Sequence, residues 1–508
     1  MDEQYTYTAP FEPAEAPTPP SVRYKFPTGP KEIAFAFFAM LCGMMLFNFI
    51  IEGGFNLGFA IAMGSYILCA SVYQFASGSR ITAYSLGLLI LSLVIAAGFA
   101  RSGDGLVKFI MLLFLTVSVN LGLCLTAGQN RRNPGRFHSL GDVPRTMFRL
   151  SYGQFARSFR GLNQFLRQGG SLGKRIGATA LGILILIPLL GLVIPLLKSA
   201  DAAFTGLVEM LPRFNFGEAV FTVSLGAVVA IVLYTRNVAL HHAPKQAEFQ
   251  PRQRRGVYPV IINTVLVGLC VVYLLYLVSQ LAYFVGGFAG ILPEDFTMAE
   301  YARRGFFEMA ALTGIDLTVM LVAVFLVRKT DGKTPLLTKL LCLFIGLATL
   351  FMVVAASGKM IMYIGGYGLT RMRVMTELVT IFLGIAMLVM LLWLFAPKLP
   401  YMKILVTVAL LMGAVTLWAD VDTVVASYNV NAYQSGRLEN VDVRYLSTLN
   451  DGAVPYIAQL TDDSVPDVAS EAKRVLKERY MELDEDYDFR GWNYVKDLAQ
   501  DYLIKPNA

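Results

Sequence analysis

Charge is scarce in this chain. Only 16% of its 508 residues are Asp, Glu, Lys or Arg, whereas a soluble domain of this size carries about a quarter. Cysteine and histidine are also few, at five and three residues. Cys42, Cys69, Cys124, Cys270 and Cys342 all fall inside apolar runs and no CxxC pair occurs, which argues against a disulfide framework or a cysteine metal centre. His138, His241 and His242 stand in basic stretches with no carboxylate or cysteine at ligand spacing, so no histidine metal site is expected. The chain lacks a P-loop and a dinucleotide fingerprint: its GGYG and GGF glycines lie at the edges of apolar runs with no strand before them. No cofactor is expected.

What is abundant is apolar sequence. Hydrophobic residues make up 56% of the chain and mean hydropathy is +0.56. They gather into runs of about 18–25 residues separated by short charged loops, without period-two alternation, which points to membrane helices and not to a barrel. The fold class is therefore all-α, a polytopic transmembrane helical bundle in the lipid bilayer. Eleven spans are expected, at 33–51, 55–76, 81–100, 109–128, 176–197, 219–235, 258–284, 306–327, 340–358, 374–396 and 404–420. Residues 1–30 hold seven prolines and read as a disordered cytoplasmic tail without the features of a cleaved signal peptide. Residues 31–420 form the helical domain. Residues 421–508 form an acidic, extracytoplasmic helical region.

The net charge of +7 is unevenly placed. From Val421 to Ala508 there are nine Lys/Arg against sixteen Asp/Glu, so the positive excess lies in the loops before it. The loop 129–175 holds ten basic residues and one acid, Asp142. Loops 236–257 and 328–339 hold five and four basic residues with one acid each. The positive-inside rule makes these loops cytoplasmic, with the N-terminus inside and the C-terminus outside. This pattern speaks for membrane topology and against nucleic acid. The bacterial plasma membrane is the expected location. Within the large basic loop, Met147, Leu150, Phe155, Phe159, Leu162 and Phe165 alternate with arginines, a pattern suited to anionic inner-leaflet lipids.

One expected outer loop defies the charge rule. Residues 359–373 carry Lys359, Arg371 and Arg373 with no acid. The stretch Tyr367-Gly-Leu-Thr-Arg371-Met-Arg373-Val-Met-Thr-Glu377 repeats an arrangement seen in Tyr301-Ala-Arg303-Arg304-Gly-Phe-Phe-Glu308. In both, an arginine precedes a glutamate by four residues, one helical turn. Asp316 lies two turns beyond Glu308, in mid-span, where a lone acid is costly and commonly functional; Lys359 is its candidate partner in space. The candidate solute- or headgroup-binding set is thus Tyr301, Arg303, Arg304, Glu308, Asp316, Lys359, Tyr367, Arg371, Arg373 and Glu377. Guanidinium forks match phosphate and carboxylate oxygens, but the same groups can equally pair among themselves to hold helices in register. Lys198-Ser-Ala-Asp201 reads as a helix cap. Serine catalysis there lacks a histidine on the same side, and the absence of a nucleophile–base pair argues against an enzyme.

The segments LLKSADAAF, EYARRGFFE, YIGGYGLTRMRVMTE and YNVNAYQSGRLENVDVRYLSTLNDGAVPYI occur in this order over about residues 175–460. Together they resemble the bacterial multi-pass membrane proteins of the domain-of-unknown-function 4153/4173 family. The tail resembles that family's pattern at Asn431, Tyr433, Gly436-Arg437, Tyr445-Leu446 and Ala453-Val454-Pro455, with looser spacing around Glu439. The resemblance implies membrane class and no biochemical activity. Two functions compete. One is binding or transport of a small anionic or lipid-derived solute through the polar cluster on the eighth to tenth spans. The alternative is a non-transporting envelope or signalling component whose outer tail binds a protein partner.

Overall fold

The computed structural model describes residues 29–130, 142–149, 216–242, 256–288, 306–329, 333–482 and 488–503, with isolated positions between 179 and 200. Among the described residues ten apolar helices make the bundle: α1 (Pro30–Gly53), α2 (Leu57–Ala76), α3 (Ala83–Gly98), α4 (Gly105–Thr126), α5 (Phe216–His242), α6 (Pro259–Phe288), α7 (Phe306–Leu326), α8 (Leu336–Tyr367), α9 (Arg371–Phe395) and α10 (Tyr401–Ala419). Among the described residues nine are long and apolar enough to cross a membrane. The exception, α3, has 16 residues and rises only about 24 Å, less than the roughly 30 Å of a hydrocarbon core. Among the described residues about nine helices thus reach the length of a span, against the eleven expected for the chain, and α3 falls short by its length alone. The span expected at 176–197 and the amphipathic stretch of the basic loop fall largely outside the described residues.

Two groups of helices build the bundle. In the first, α1 packs on α2 and α5, α3 packs on α4, and α10 lies against α3 and α4. Close approach of α1 and α5 depends on missing side chains. A Cβ on Gly43 would stand 2.5 Å from the backbone of Ala230, and one on Gly226 would stand 2.8 Å from Met44 Cα. Small residues at such crossings let membrane helices gain van der Waals contact where no hydrophobic force drives them together. In the second group α8 is central, packing on α6, α7 and α9 around a core that includes Leu266, Met320, Ile345 and Met352. The outer face of α6 keeps Val260, Leu275 and Val278 exposed, as suits contact with lipid.

After α10 come α11 (Val421–Gln434), α12 (Val443–Ser447), a 3-10 turn (Asp451–Ala453), α13 (Val454–Ala458), α14 (Pro466–Met481) and α15 (Tyr494–Gln500). Val425, Val430, Leu446 and Ile457 of these helices share one buried core with residues of α1 to α4. The tail is thus packed onto the bundle. It meets the end where α1 joins α2, α3 joins α4 and α8 joins α9: Leu57 N–H donates to Trp492 O at 3.1 Å, and Tyr494 N–H to Ala100 O at 2.9 Å.

The opposite end holds a different polar group. Glu32 Oε1 lies 2.9 Å from His242 Nε2 and accepts from Tyr73 Oη at 3.3 Å, while His241 Nδ1 lies 2.9 Å from Ser79 Oγ. His241 and His242 therefore belong to the last turn of α5, not to a loop without carboxylates.

The charged segment at 359–373 also differs from expectation. Helix α8 runs on to Tyr367 and stops only at Gly368, whose φ of 75° lies in the left-handed region that glycine occupies at little cost. Hydropathy ended the span at residue 358, but the stretch from Lys359 to Tyr367 holds no proline and continues as helix through Gly365 and Gly366. The loop shrinks to Gly368–Thr370, and Thr370 caps α9 by accepting from Arg373 N–H.

Candidate binding site where the tail meets the bundle

Three chain segments converge at this turn, and carboxylates organise them. Asp420 joins α10 to α11 at a φ of 51°, a conformation that costs a non-glycine residue free energy unless its surroundings hold it. Its carboxylate is buried and accepts five hydrogen bonds. Oδ1 receives Ser102 Oγ at 2.9 Å, Gly103 N–H at 2.9 Å and Asn450 Nδ2 at 3.0 Å. Oδ2 receives the hydroxyl and the backbone N–H of Thr423 at 2.7 and 3.1 Å. One side chain thus ties the α3–α4 loop to the tail.

Asp422, fully buried, does the same for the α8–α9 turn. It takes Arg371 Nε at 2.7 Å and also Arg371 Nη2, a two-pronged pair, and it accepts Asn450 N–H at 2.8 Å. Asp104 Oδ2 lies 3.4 Å from Arg371 Nε, while Asp104 Oδ1 caps α4 by accepting from Leu106 and Val107 N–H. Burial, then the neighbouring Asp422 charge, push the Asp104 carboxyl above the usual carboxylate range, opposed by those backbone donors and by Arg371. The Arg371 backbone N–H donates to Tyr445 Oη at 2.9 Å. Asn429 reads both backbone groups of Leu369, accepting its N–H and donating to its carbonyl. The YGLTR stretch of the turn and the Arg444-Tyr445-Leu446 stretch of the tail, far apart in sequence, are in contact here.

Beside this joint lies a cleft of about 1020 Å³. Tyr363, Tyr367 and Arg373 line it from the α8–α9 side, and Asn429, Arg437 and Tyr445 from the tail. Arg373 donates through Nη1 to the carbonyls of Tyr367 (3.1 Å) and Gly368 and lies over the Tyr363 ring at 4.0 Å. Its Nε and Nη2 have no hydrogen-bond partner among the described residues. Arg437 donates from Nε to Ser435 Oγ at 3.1 Å and lies over the Tyr428 ring at 5.9 Å, and its two terminal nitrogens have no hydrogen-bond partner among the described residues.

The ten residues singled out from the sequence part company here. Tyr367 and Arg373 line the cleft, and Arg371 sits beside it, committed to Asp422 and Asp104. The expected Arg373–Glu377 pair is not formed: Arg373 turns back to the carbonyls, and Glu377 Oε2 is buried with no hydrogen-bond partner among the described residues. Asp316 is elsewhere, buried in the second core, accepting Tyr273 Oη at 2.6 Å and Thr349 Oγ1 at 2.7 Å. Its partners are hydroxyls on α6 and α8, not Lys359, which stands about 15 Å further along α8. Tyr301, Arg303, Arg304 and the side chain of Glu308 lie outside the described residues. Asp104, Asp420, Asp422, Asn429 and Asn450 were missed. Their one sequence signal is that Asp104 and Asp420 stand just before helices, as caps do.

Helices of this length and composition, packed with a polar joint at one end, define a multi-pass membrane protein. Residues 34–460 match the family described as Domain of unknown function (DUF4153), and the chain belongs to that family. No curated protein and no solved structure matches it.

Proposed function

We propose that this protein binds a small solute bearing an anionic group, free or as part of a lipid, in the cleft between the α8–α9 turn and residues 437–445, on the outer face of a bacterial plasma membrane. The observation that carries the reading is the pair Arg373 and Arg437, which both line one cleft of about 1020 Å³ and each keep guanidinium nitrogens without a hydrogen-bond partner among the described residues. Arginine forks take phosphate or carboxylate oxygens in pairs. Arg371 plays a different part: with Asp422 and Asp104 it holds the turn in place, so that Arg373 and the tyrosines are presented to the cleft. The outer-face placement follows from loop charge.

The test is thermal unfolding of the full chain in detergent with added inorganic phosphate or glycerol 3-phosphate. A ligand at about 100 times its Kd stabilises by about 2.7 kcal/mol. We expect the wild-type transition to rise with ligand and the rise to vanish in the double variant Arg373→Gln, Arg437→Gln. Equal responses of the two proteins would refute the site.

A further inference from the structure

Resting on the binding reading above, we infer that the cleft takes a zwitterion: a phosphate ester that also carries an amine, of the phosphoethanolamine class. The first ground is the balance of charge in the lining. Besides Arg373 and Arg437 the lining holds two acids, Glu439 and Asp442, on the same tail segment as Arg437. Both acids are exposed. Glu439 forms no ion pair among the described residues, and Asp442 uses only Oδ1, accepting Tyr445 N–H at 2.8 Å. A site for a simple anion gains nothing from two carboxylates in its lining, since like charge repels the ligand. A ligand with both signs uses all four.

The second ground is aromatic. Tyr363 and Tyr367 stand with ring centroids 5.1 Å apart. Tyr363 already carries the Arg373 guanidinium, whereas Tyr367 is 53% exposed and lines the cleft. An ammonium group is attracted to such a face. The phosphate end of the ligand then falls to the arginines and the amine end to Glu439, Asp442 and the Tyr367 ring.

The third ground concerns where the ligand comes from. Helix α8 has 32 residues, a length of about 48 Å against a hydrocarbon core of roughly 30 Å. Its last turns, Tyr363 to Tyr367, therefore reach headgroup depth. Ile361 and Met362 just below them are 64% and 55% exposed, and Met362 also lines the cleft. An apolar approach from the bilayer thus leads into the charged lining, and a lipid headgroup and a free phosphoethanolamine share the chemistry required.

The experiment uses the full chain in detergent. Bound lipid is read by native mass spectrometry with phosphatidylethanolamine or phosphatidylglycerol, and soluble phosphoethanolamine and inorganic phosphate are titrated separately by thermal shift. We expect retention of phosphatidylethanolamine over phosphatidylglycerol. Glu439→Gln should weaken the amine-bearing ligand about tenfold while leaving or improving the anionic one, the size of one charge-assisted hydrogen bond. Arg437→Gln should weaken both. Each substitution is at an exposed side chain, so the variants fold. Binding of the lipid form alone assigns the bilayer as source, and equal binding of soluble phosphoethanolamine assigns a free solute; either upholds the zwitterion. If phosphatidylglycerol or inorganic phosphate binds as well as the amine-bearing probe, and still depends on Arg437, the zwitterion is overturned while the anion site stands. If binding of no probe changes in Arg437→Gln or in the double variant Arg373→Gln, Arg437→Gln, both readings fall.

Discussion

At the scale of single residues, Asp104 and Asp422 face the same arginine with opposite consequences. Asp422 is fully buried and forms the two-pronged pair, so Asp422→Asn leaves Arg371 with half its compensation. Because Arg371 is one-third exposed and keeps Asp104 beside it, the loss should stay below the roughly 3–5 kcal/mol of breaking a fully buried pair. Asp104 contributes a cap that asparagine also supplies and a carboxylate that burial holds above its ordinary range. A carboxyl raised on folding contributes stability below its unfolded pKa, near 4, and that contribution is lost as pH rises through the folded value. Asp104→Asn is therefore expected to match the wild type near pH 4 and to equal or exceed it at pH 7. Thermal unfolding of both variants in detergent from pH 4 to 8 checks this. A loss at Asp104→Asn as large as that at Asp422→Asn would disprove the burial account. The anomaly at Arg371 was visible in the sequence as an expected outer loop with charge of the wrong sign. Its partners were not, because nothing local connects it to Asp104 or Asp422, and each of those reads as an ordinary residue at a helix start.

At the scale of helices, hydropathy located the apolar runs well and their ends poorly. The end expected at residue 358 moved to Tyr367 because a helix stops where the backbone demands it, here at Gly368, and not where charge begins. The same logic explains why Arg373 and Glu377 do not pair. Residues four apart on α9 are close enough, but the turn offers Arg373 two free carbonyls and the Tyr363 ring nearer at hand. The α1–α5 crossing was not legible at all, since Gly43 and Gly226 read as unremarkable glycines in apolar runs. Their role supplies a prediction. Gly43→Val places side-chain atoms where the Ala230 backbone stands and should destabilise by about 1–3 kcal/mol or more through overpacking. In α3, a Cβ on Gly87 meets nothing within 4 Å, so Gly87→Ala should be neutral or stabilise by up to about 1 kcal/mol. Melting temperatures of the two variants decide the matter: equal losses would mean that helix propensity, and not the crossing, governs these glycines.

At the scale of the whole molecule, the tail and the bundle share one core, and this gives the chain two chemically distinct ends. One collects the α1–α2, α3–α4 and α8–α9 connections, Asp420 and the tail. The other collects Glu32, Ser79, His241 and His242. On the orientation expected from loop charge, the first of these ends is the outer one and the second the inner one, so the positions of exposed residues translate into sidedness. Ser435 is exposed beside the cleft, whereas Arg80 and Lys398 are exposed on connections at the opposite end. In a background with the five native cysteines replaced, Ser435→Cys should react with a membrane-impermeant maleimide added to intact cells. Arg80→Cys and Lys398→Cys should react only after the membrane is opened. Labelling of all three from one side would contradict the membrane arrangement, while labelling with the sides exchanged would move the cleft to the inner face. That exchange would leave the cleft's geometry as it is, but its arginines would then meet the solutes and lipids of the cytoplasmic face, and the positive-inside rule, which rests on insertion and not on packing, would be the step that failed.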